Sequence, residues 1–420
     1  LLDYFTGIMI EKNETESKRK FWFWLSVIVN LGFLGVFKYY NFFATSFADL
    51  INGFGFQVNP LLIKVILPVG ISFYTFHGLS YVIDIYYKRI KAETNFIDYS
   101  LFVSYFPLLV AGPIERATHL LPQVKVKREF NFQKAKEGVH QIIWGLVKKV
   151  VIADSCAMYA NEVFNNHEQM NSLSLVLGAI YFAFQIYGDF SGYSDIALGT
   201  SKLFGIDLLK NFNFPYFSRD IAEFWRRWHI SLSSWFRDYL YIPLGGSKGG
   251  KWMQVRNTFI IFLVSGFWHG ANWTFIAWGL INAIYFLPLL LLNRNRSNIA
   301  DIDFKWNVEG LQTILNILLT FSITTFAWIF FRAKSISDAL LYIKNMFTNL
   351  NFDIQYLGNE RYAPELLALV GVFVVFEWFN KYKTEPISGK YENIKLLFCI
   401  MAILALGVFS DYKEFIYFQF

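Results

Sequence analysis

The chain has 420 residues, 55% hydrophobic and 20% aromatic, and only 17% charged against about 25% in an average globular chain. Its length allows two or three soluble domains, but the distribution of charge excludes them. The net charge of +6 does not point to nucleic acid, because Lys and Arg gather in connecting loops, as at Lys12–Lys20, Lys88–Lys91 and Lys125–Lys136.

In chain order, Phe21–Phe37 gives 17 residues without formal charge, Val65–Ile83 gives 19 and Gln169–Gly188 gives 20. Between Arg256 and Arg294 lie 37 more, interrupted only by His269, and Gly310–Phe331 gives 22. A bilayer core of about 30 Å needs about 20 apolar residues as helix, and only internally hydrogen-bonded structure survives there. Weaker runs are Tyr99–Ile114, Ile142–Phe164, Leu366–Phe376 and Leu396–Ser410. Together these predict an all-α polytopic membrane protein of roughly ten membrane helices or half-helices. The polar interludes Arg116–Gly138, Asn293–Glu309 and Thr348–Tyr362 are too short to be domains, so residues 1–420 are expected to form one membrane-embedded domain. The absence of an internal repeat counts against a secondary transporter. The chain opens at Leu1 without a cleavable signal, so helices preceding it in a longer protein are expected. Cys156 and Cys399 sit in apolar runs as small core residues and supply neither a disulfide framework nor a metal set.

Polar groups at membrane depth are costly and therefore informative. "SFYTFHGLSYVID" carries His77 and Asp84, and "YFPLLVAGPIER" carries Glu115 and Arg116; both read as packing elements. "YGDFSGYSDIALG" places Asp189 and Asp195 six apart, too far round a helix to act as a paired acid and base. Pairing with the arginines that follow is the expected use of both. The densest stretch is "EFWRRWHISLSSWFRDYLYIPLGG", Glu223–Gly246. Read as one helix, Trp225, Trp228, Leu232, Trp235 and Tyr239 form an aromatic stripe, and Glu223 pairs with Arg227 one turn on. Its charges predict a buried or re-entrant helix beside a water-filled cavity, with a flat interfacial helix as the bland alternative. "GGSKGGKW" has the glycines and Lys251 of a phosphate-binding loop, but Trp252 stands where Ser or Thr would hold magnesium and no strand precedes it. In "SGFWHGANW", His269 falls inside the long uncharged run, and Gly270-Ala271-Asn272 is suited to break a helix.

A membrane-depth histidine, a second histidine at His229 and nearby arginines suit acyl transfer to a hydroxyl. Imidazole, with an ordinary pKa near 6.5, takes the hydroxyl proton, and burial protects an activated acyl donor from water. A thioester donor brings its own leaving group, so neither metal nor bound cofactor is expected.

"EFWRRWHISLSSWFRDYLYIPLGG" and "SGFWHGANWTFIAWG", with "PLLVAGPIER", "YGDFSGYSDIALG" and "NFNFPYFSRDIAEFWRRWHISLS", resemble the membrane-bound O-acyltransferase family, in its bacterial alginate O-acetyltransferase-like branch. The resemblance runs from about Asp3 to the C-terminus. It implies helices around a buried tunnel or funnel, with His269 and His229 matching the two family histidines. It implies a multi-pass protein of the bacterial inner membrane that takes acetyl from acetyl-CoA to an exported polysaccharide, directly or through an extracytoplasmic transferase partner. Arg226, Arg227, Arg237, Asp238, Asn272, Asp189 and Asp195 are the expected substrate- or donor-binding set. The alternatives are D-alanyl or other acyl transfer to a cell-wall polymer, and a non-catalytic acyl conduit or scaffold.

Overall fold

The computed structural model describes residues 1–64, 68, 70–351, 353–355, 363–383, 386–409 and 415–416. The start of the expected Val65–Ile83 segment, the end of the Thr348–Tyr362 interlude and Ser410 lie outside them. Every regular element among the described residues is helical. The chain divides into two compact units, Leu1–Phe130 with Phe204–Leu209, and Asn131–Leu203 with Lys210–Phe420.

The first unit contains α1 (Leu2–Lys12), α2 (Glu16–Leu34), α3 (Tyr40–Gly53), α4 (Ile71–Tyr86), α5 (Phe96–Val103) and α6 (Ala117–Lys125). A π-helical turn at Gly35–Tyr39 joins α2 to α3, giving a 38-residue apolar rod, Glu16–Gly53. Only 11% of its apolar window is buried, and Phe21, Trp24, Ile28 and Leu31 face outward, a surface suited to lipid rather than water. Asp3 accepts hydrogen bonds from Ser26 Oγ (2.5 Å) and Asn30 Nδ2 (2.7 Å), tying α1 to α2. Tyr81, Phe102 and Leu120 form the centre of this unit's core. Glu115 and Arg116 fall between α5 and α6. The fully buried Glu115 carboxylate accepts from Leu209 N (2.5 Å) and pairs with His119 Nδ1 (2.7 Å), so its use is structural, as expected.

The second unit contains α7 (Phe132–Leu146), α8 (Asp154–Asn165), α9 (Ser172–Leu203), α10 (Ile221–Arg227), α11 (Ile230–Phe236), α12 (Lys251–His269), α13 (Trp273–Leu291), α14 (Val308–Arg332), α15 (Ile336–Thr348), α16 (Ala363–Asn380) and α17 (Glu392–Leu406). Its axis is α9, whose 32 residues rise about 48 Å at 1.5 Å each, with 83% of the apolar window buried. Against it lies α7, at a separation that only glycine permits. A Cβ at Gly145 would sit 2.6 Å from Gly192 O, and one at Gly199 2.4 Å from Gly138 O. Four helical segments among the described residues are long and apolar enough to cross a membrane: Glu16–Gly53, Ser172–Leu203, Trp273–Leu291 and Val308–Arg332.

Asp189 and Asp195 do not pair with the arginines of the aromatic stretch. Lys149 Nζ lies 2.8 Å from both Asp189 and Asp154, and Lys148 Nζ lies 2.6 Å from Asp195. Gln141 Nε2 adds a bond to Asp195 (3.0 Å), and Ile416 N one to Asp189 (2.7 Å). The lysines belong to a π-helical turn, Val147–Ala153, between α7 and α8. That widened turn brings two consecutive ammonium groups onto α9.

Candidate active site

The aromatic stretch is not one helix. It breaks at Trp228–His229 into α10 and α11, and His229 adopts a left-handed φ of +43°. The cause is a segment more than a dozen residues upstream. Asn213 N donates to Arg227 O (3.0 Å), and Ile230 N donates to Asn211 O (2.9 Å), so the chain is pulled out of helical bonding around His229. The buried Asn211 side chain fastens the break, donating to Ser194 Oγ (3.0 Å) and accepting from Ser231 Oγ (2.5 Å). Backbone strain held by such surroundings is a mark of functional positions.

The expected Glu223–Arg227 pair is present at 2.8 Å, and Glu223 also holds Arg219 at 3.0 Å, a partner the four-residue spacing on its C-terminal side did not reveal. Asp220 caps α10 by accepting from Glu223 N (2.7 Å).

His269 is the last residue of α12, and the expected break follows it. Asn272 accepts from Thr274 N (3.0 Å) to cap α13 and donates to Lys334 O (3.0 Å). The two helices cross closely, since a Cβ at Gly266 would lie 2.3 Å from Phe275 O. The His269 ring is walled by Trp268, Trp278 and Phe331, at centroid distances of 4.8, 5.2 and 5.3 Å.

These two breaks bring the histidines together. Their ring centroids are 6.5 Å apart at 55°, and both line one cavity of about 510 Å3, a volume typical of small-molecule sites. His229 is 1% exposed, packs edge-on against Phe190 at 4.7 Å, and neither ring nitrogen has a hydrogen-bond partner among the described residues. Trp225, Trp228, Leu232 and Phe262 supply apolar wall, and Ser233, Ser265 and Thr258 supply hydroxyls.

Of the expected binding residues, Arg226 and Arg237 line this cavity, joined by Arg296, which sequence reasoning missed because it sits in a polar loop far along the chain from the aromatic stretch. Arg226 donates to Asn295 O (2.7 Å) and Asn298 O (3.0 Å), and Arg237 pairs with Asp238 at 2.7 Å. Arg227, Asp238, Asn272, Asp189 and Asp195 are not in the lining. Arg227 is a structural partner of Glu223, and Asn272 is a helix cap.

A helix-walled chamber with two imidazoles among aromatic rings and three guanidinium groups holds side chains of the kind that group transfer away from water requires. Sequence comparison agrees: residues 86–331 match the MBOAT, membrane-bound O-acyltransferase, family. A probable alginate O-acetylase of Pseudomonas aeruginosa is 38% identical over 372 residues, 88% of this chain and 69% of the relative. A peptidoglycan O-acetyltransferase of Helicobacter pylori is 37% identical over 87% of this chain and 72% of the relative. A teichoic acid D-alanyltransferase of Bacillus subtilis is 29% identical over 63% of this chain and 69% of the relative. The chain belongs to the membrane-bound O-acyltransferase family. It is a membrane protein and an acyltransferase.

Proposed function

We propose that the protein transfers acetyl from a cytosolic thioester, acetyl-CoA, to hydroxyls of an exported or cell-surface polysaccharide. The observation that carries the reading is the pairing of His269 and His229 in one aromatic-walled cavity, in a chain similar over most of its length to O-acetylating relatives. In the reaction, His269 takes the proton of the acceptor hydroxyl as its oxygen attacks the thioester carbonyl carbon. The new C–O bond forms, the C–S bond breaks, and the proton passes to the departing thiolate. His229 orients the acceptor or assists the proton's passage. Arg226, Arg237 and Arg296 bind the donor's phosphates, a task for which a guanidinium fork is suited. Aromatic walls keep water from the thioester.

The basic groups Lys248, Lys251, Arg256, Arg294 and Arg296 flank the N-terminus of α12 and the C-terminus of α13. Positive-inside bias supports a cytosolic setting for that end, on the side from which a cytosolic donor would come. The chain is then a multi-pass protein of the bacterial inner membrane. α4, α12, α16 and α17 add four to the four longer apolar segments, eight among the described residues, in support of a count of roughly ten passes or half-passes around a tunnel or funnel. Transfer goes directly to the polymer or by relay to an extracytoplasmic transferase. The D-alanyl relatives match less of this chain at lower identity, which favours acetyl.

The test is transfer of labelled acetyl from acetyl-CoA by the protein in nanodiscs, with alginate and with peptidoglycan glycan strands as acceptors. Label should reach one of the polymers, or a co-reconstituted partner transferase, and should fail to do so with His269→Ala. Equal transfer by that variant contradicts the reading.

A further inference from the structure

Outside the catalytic cavity, a second space of about 70 Å3 lies where α16 and α17 meet the end of α7, and its lining has no polar side chain beyond the indole of Trp144 and the thiol of Cys399. α16 supplies Val372, and α17 supplies Phe398, Ala402 and Leu406. Val372 and Phe398 are more than half exposed, so the space is the inner part of a groove that opens along the outside of the two helices. In a membrane protein such an apolar opening meets lipid rather than water.

The groove has a polar head. Lys395, Cys399, Ala402 and Leu406 recur at helical spacing on one face of α17, so Lys395 continues the apolar stripe toward the loop that joins α16 to α17. Its ammonium donates to Pro386 O (3.1 Å) and Ser388 O (3.0 Å), and that of Lys383, just past the end of α16, donates to Asn380 Oδ1 (3.0 Å). The two ammonium groups are neighbours, and neither forms an ion pair with a carboxylate among the described residues. Glu392, one turn before Lys395, pairs instead with Lys136 at 2.6 Å. Like charges held side by side are relieved by an anion placed between them.

Two magnitudes select the occupant. From Lys395 to Leu406 the stripe rises about 17 Å at 1.5 Å per residue, close to half of a bilayer core of about 30 Å. The groove is therefore about one leaflet deep, with cations at its head and no charge on α17 below them. A helix, about 10 Å across, is too wide for a space of about 70 Å3, whereas an acyl chain is not. We propose that the groove binds one anionic glycerophospholipid, with its phosphate on Lys383 and Lys395 and one acyl chain between α16 and α17. The site is separate from the histidine cavity and stands whether or not acetyl transfer does.

The test is native mass spectrometry of the full chain released from detergent micelles, titrated with phosphatidylglycerol or with phosphatidylcholine of the same acyl chains. The first phosphatidylglycerol should bind at least about tenfold more tightly than the first phosphatidylcholine. Lys383→Gln combined with Lys395→Gln should erase that preference, since each lysine near an anionic headgroup is worth about fivefold. Lys383→Arg should keep it. Ala402→Phe, which fills the apolar part, should weaken phosphatidylglycerol with both lysines in place. Equal affinities in wild type, a preference that survives the double variant, or an Ala402→Phe affinity equal to wild type overturns the site. So does displacement of the lipid by inorganic phosphate alone, which marks a phosphate site without a chain, or a dimer that Ala402→Phe disperses, which marks a second copy as the occupant. A thermal midpoint matching wild type shows that a variant's lost binding is not lost folding.

Discussion

Two regions of the second unit bury polar side chains side by side and treat them in opposite ways. On the α7-facing side of α9, Lys148, Lys149, Asp154, Asp189 and Asp195 satisfy one another in ion pairs of 2.6–2.8 Å. Near Phe190, another α9 residue, His229 is as deeply buried, yet its nitrogens find aromatic rings and no hydrogen-bond partner among the described residues. Buried polar groups that serve folding are paired, because each unpaired one costs about 1–3 kcal/mol. A group left open at that cost is the one to suspect of chemistry.

The contrast breaks most visibly at the ion pairs. Asp195→Leu removes the carboxylate 2.6 Å from the Lys148 ammonium, leaving it Glu377 and the Trp144 and Tyr187 rings, and should cost about 1–3 kcal/mol, read as a fall in thermal midpoint in detergent. Lys148→Met added to it should restore most of the loss, since an apolar pair replaces a buried ion pair at little cost. If the double variant is no better than the single, the lysine is not held there by Asp195.

The cavity should respond the other way. His229→Phe removes an unpartnered imidazole, a relief of about 1–3 kcal/mol that offsets the poorer fit of Phe to left-handed backbone. Thermal stability should hold while acetyl transfer falls at least about tenfold. A large stability loss with normal transfer would make His229 a packing residue like those of α9.

The smallest effect belongs to the first unit. The hydrogen bond that His119 donates to Glu115 raises the His119 pKa above its ordinary 6.5, with burial opposing and Asp207 assisting. A raised folded-state pKa means the stabilisation is complete below about pH 6.5 and is lost as pH rises through the folded value. Because His119 is partly solvent-exposed, the loss should stay under about 1 kcal/mol. Unfolding midpoints measured from pH 6 to 9 should drift downward in wild type and flatten in His119→Gln; identical slopes would remove this pair from the account.

The sequence revealed what depends on neighbours along the chain. Uncharged runs marked apolar helices, Gly270-Ala271-Asn272 marked the break after His269, and the four-residue spacing gave Glu223–Arg227. It concealed what depends on distant segments. The break at His229 is made by Asn211 and Asn213, and no local signal interrupts the helical pattern there. Asp189 and Asp195 were expected to meet arginines because those are the nearest dense charges in sequence, whereas a π-helical turn delivers Lys148 and Lys149 instead. Arg296 and Arg332 lie in a loop and at a helix end, far along the chain from the histidines, and only folding shows which cavity each lines.

The most direct measurement is ester-linked acetyl on the surface polysaccharide of cells carrying wild type, His269→Ala or a deletion, at matched membrane levels of the two protein forms. The account predicts that His269→Ala falls to the level of the deletion while the protein stays folded. Acetylation that persists with His269→Ala but vanishes on deletion would contradict it, leaving His269 a structural residue of a conduit or scaffold.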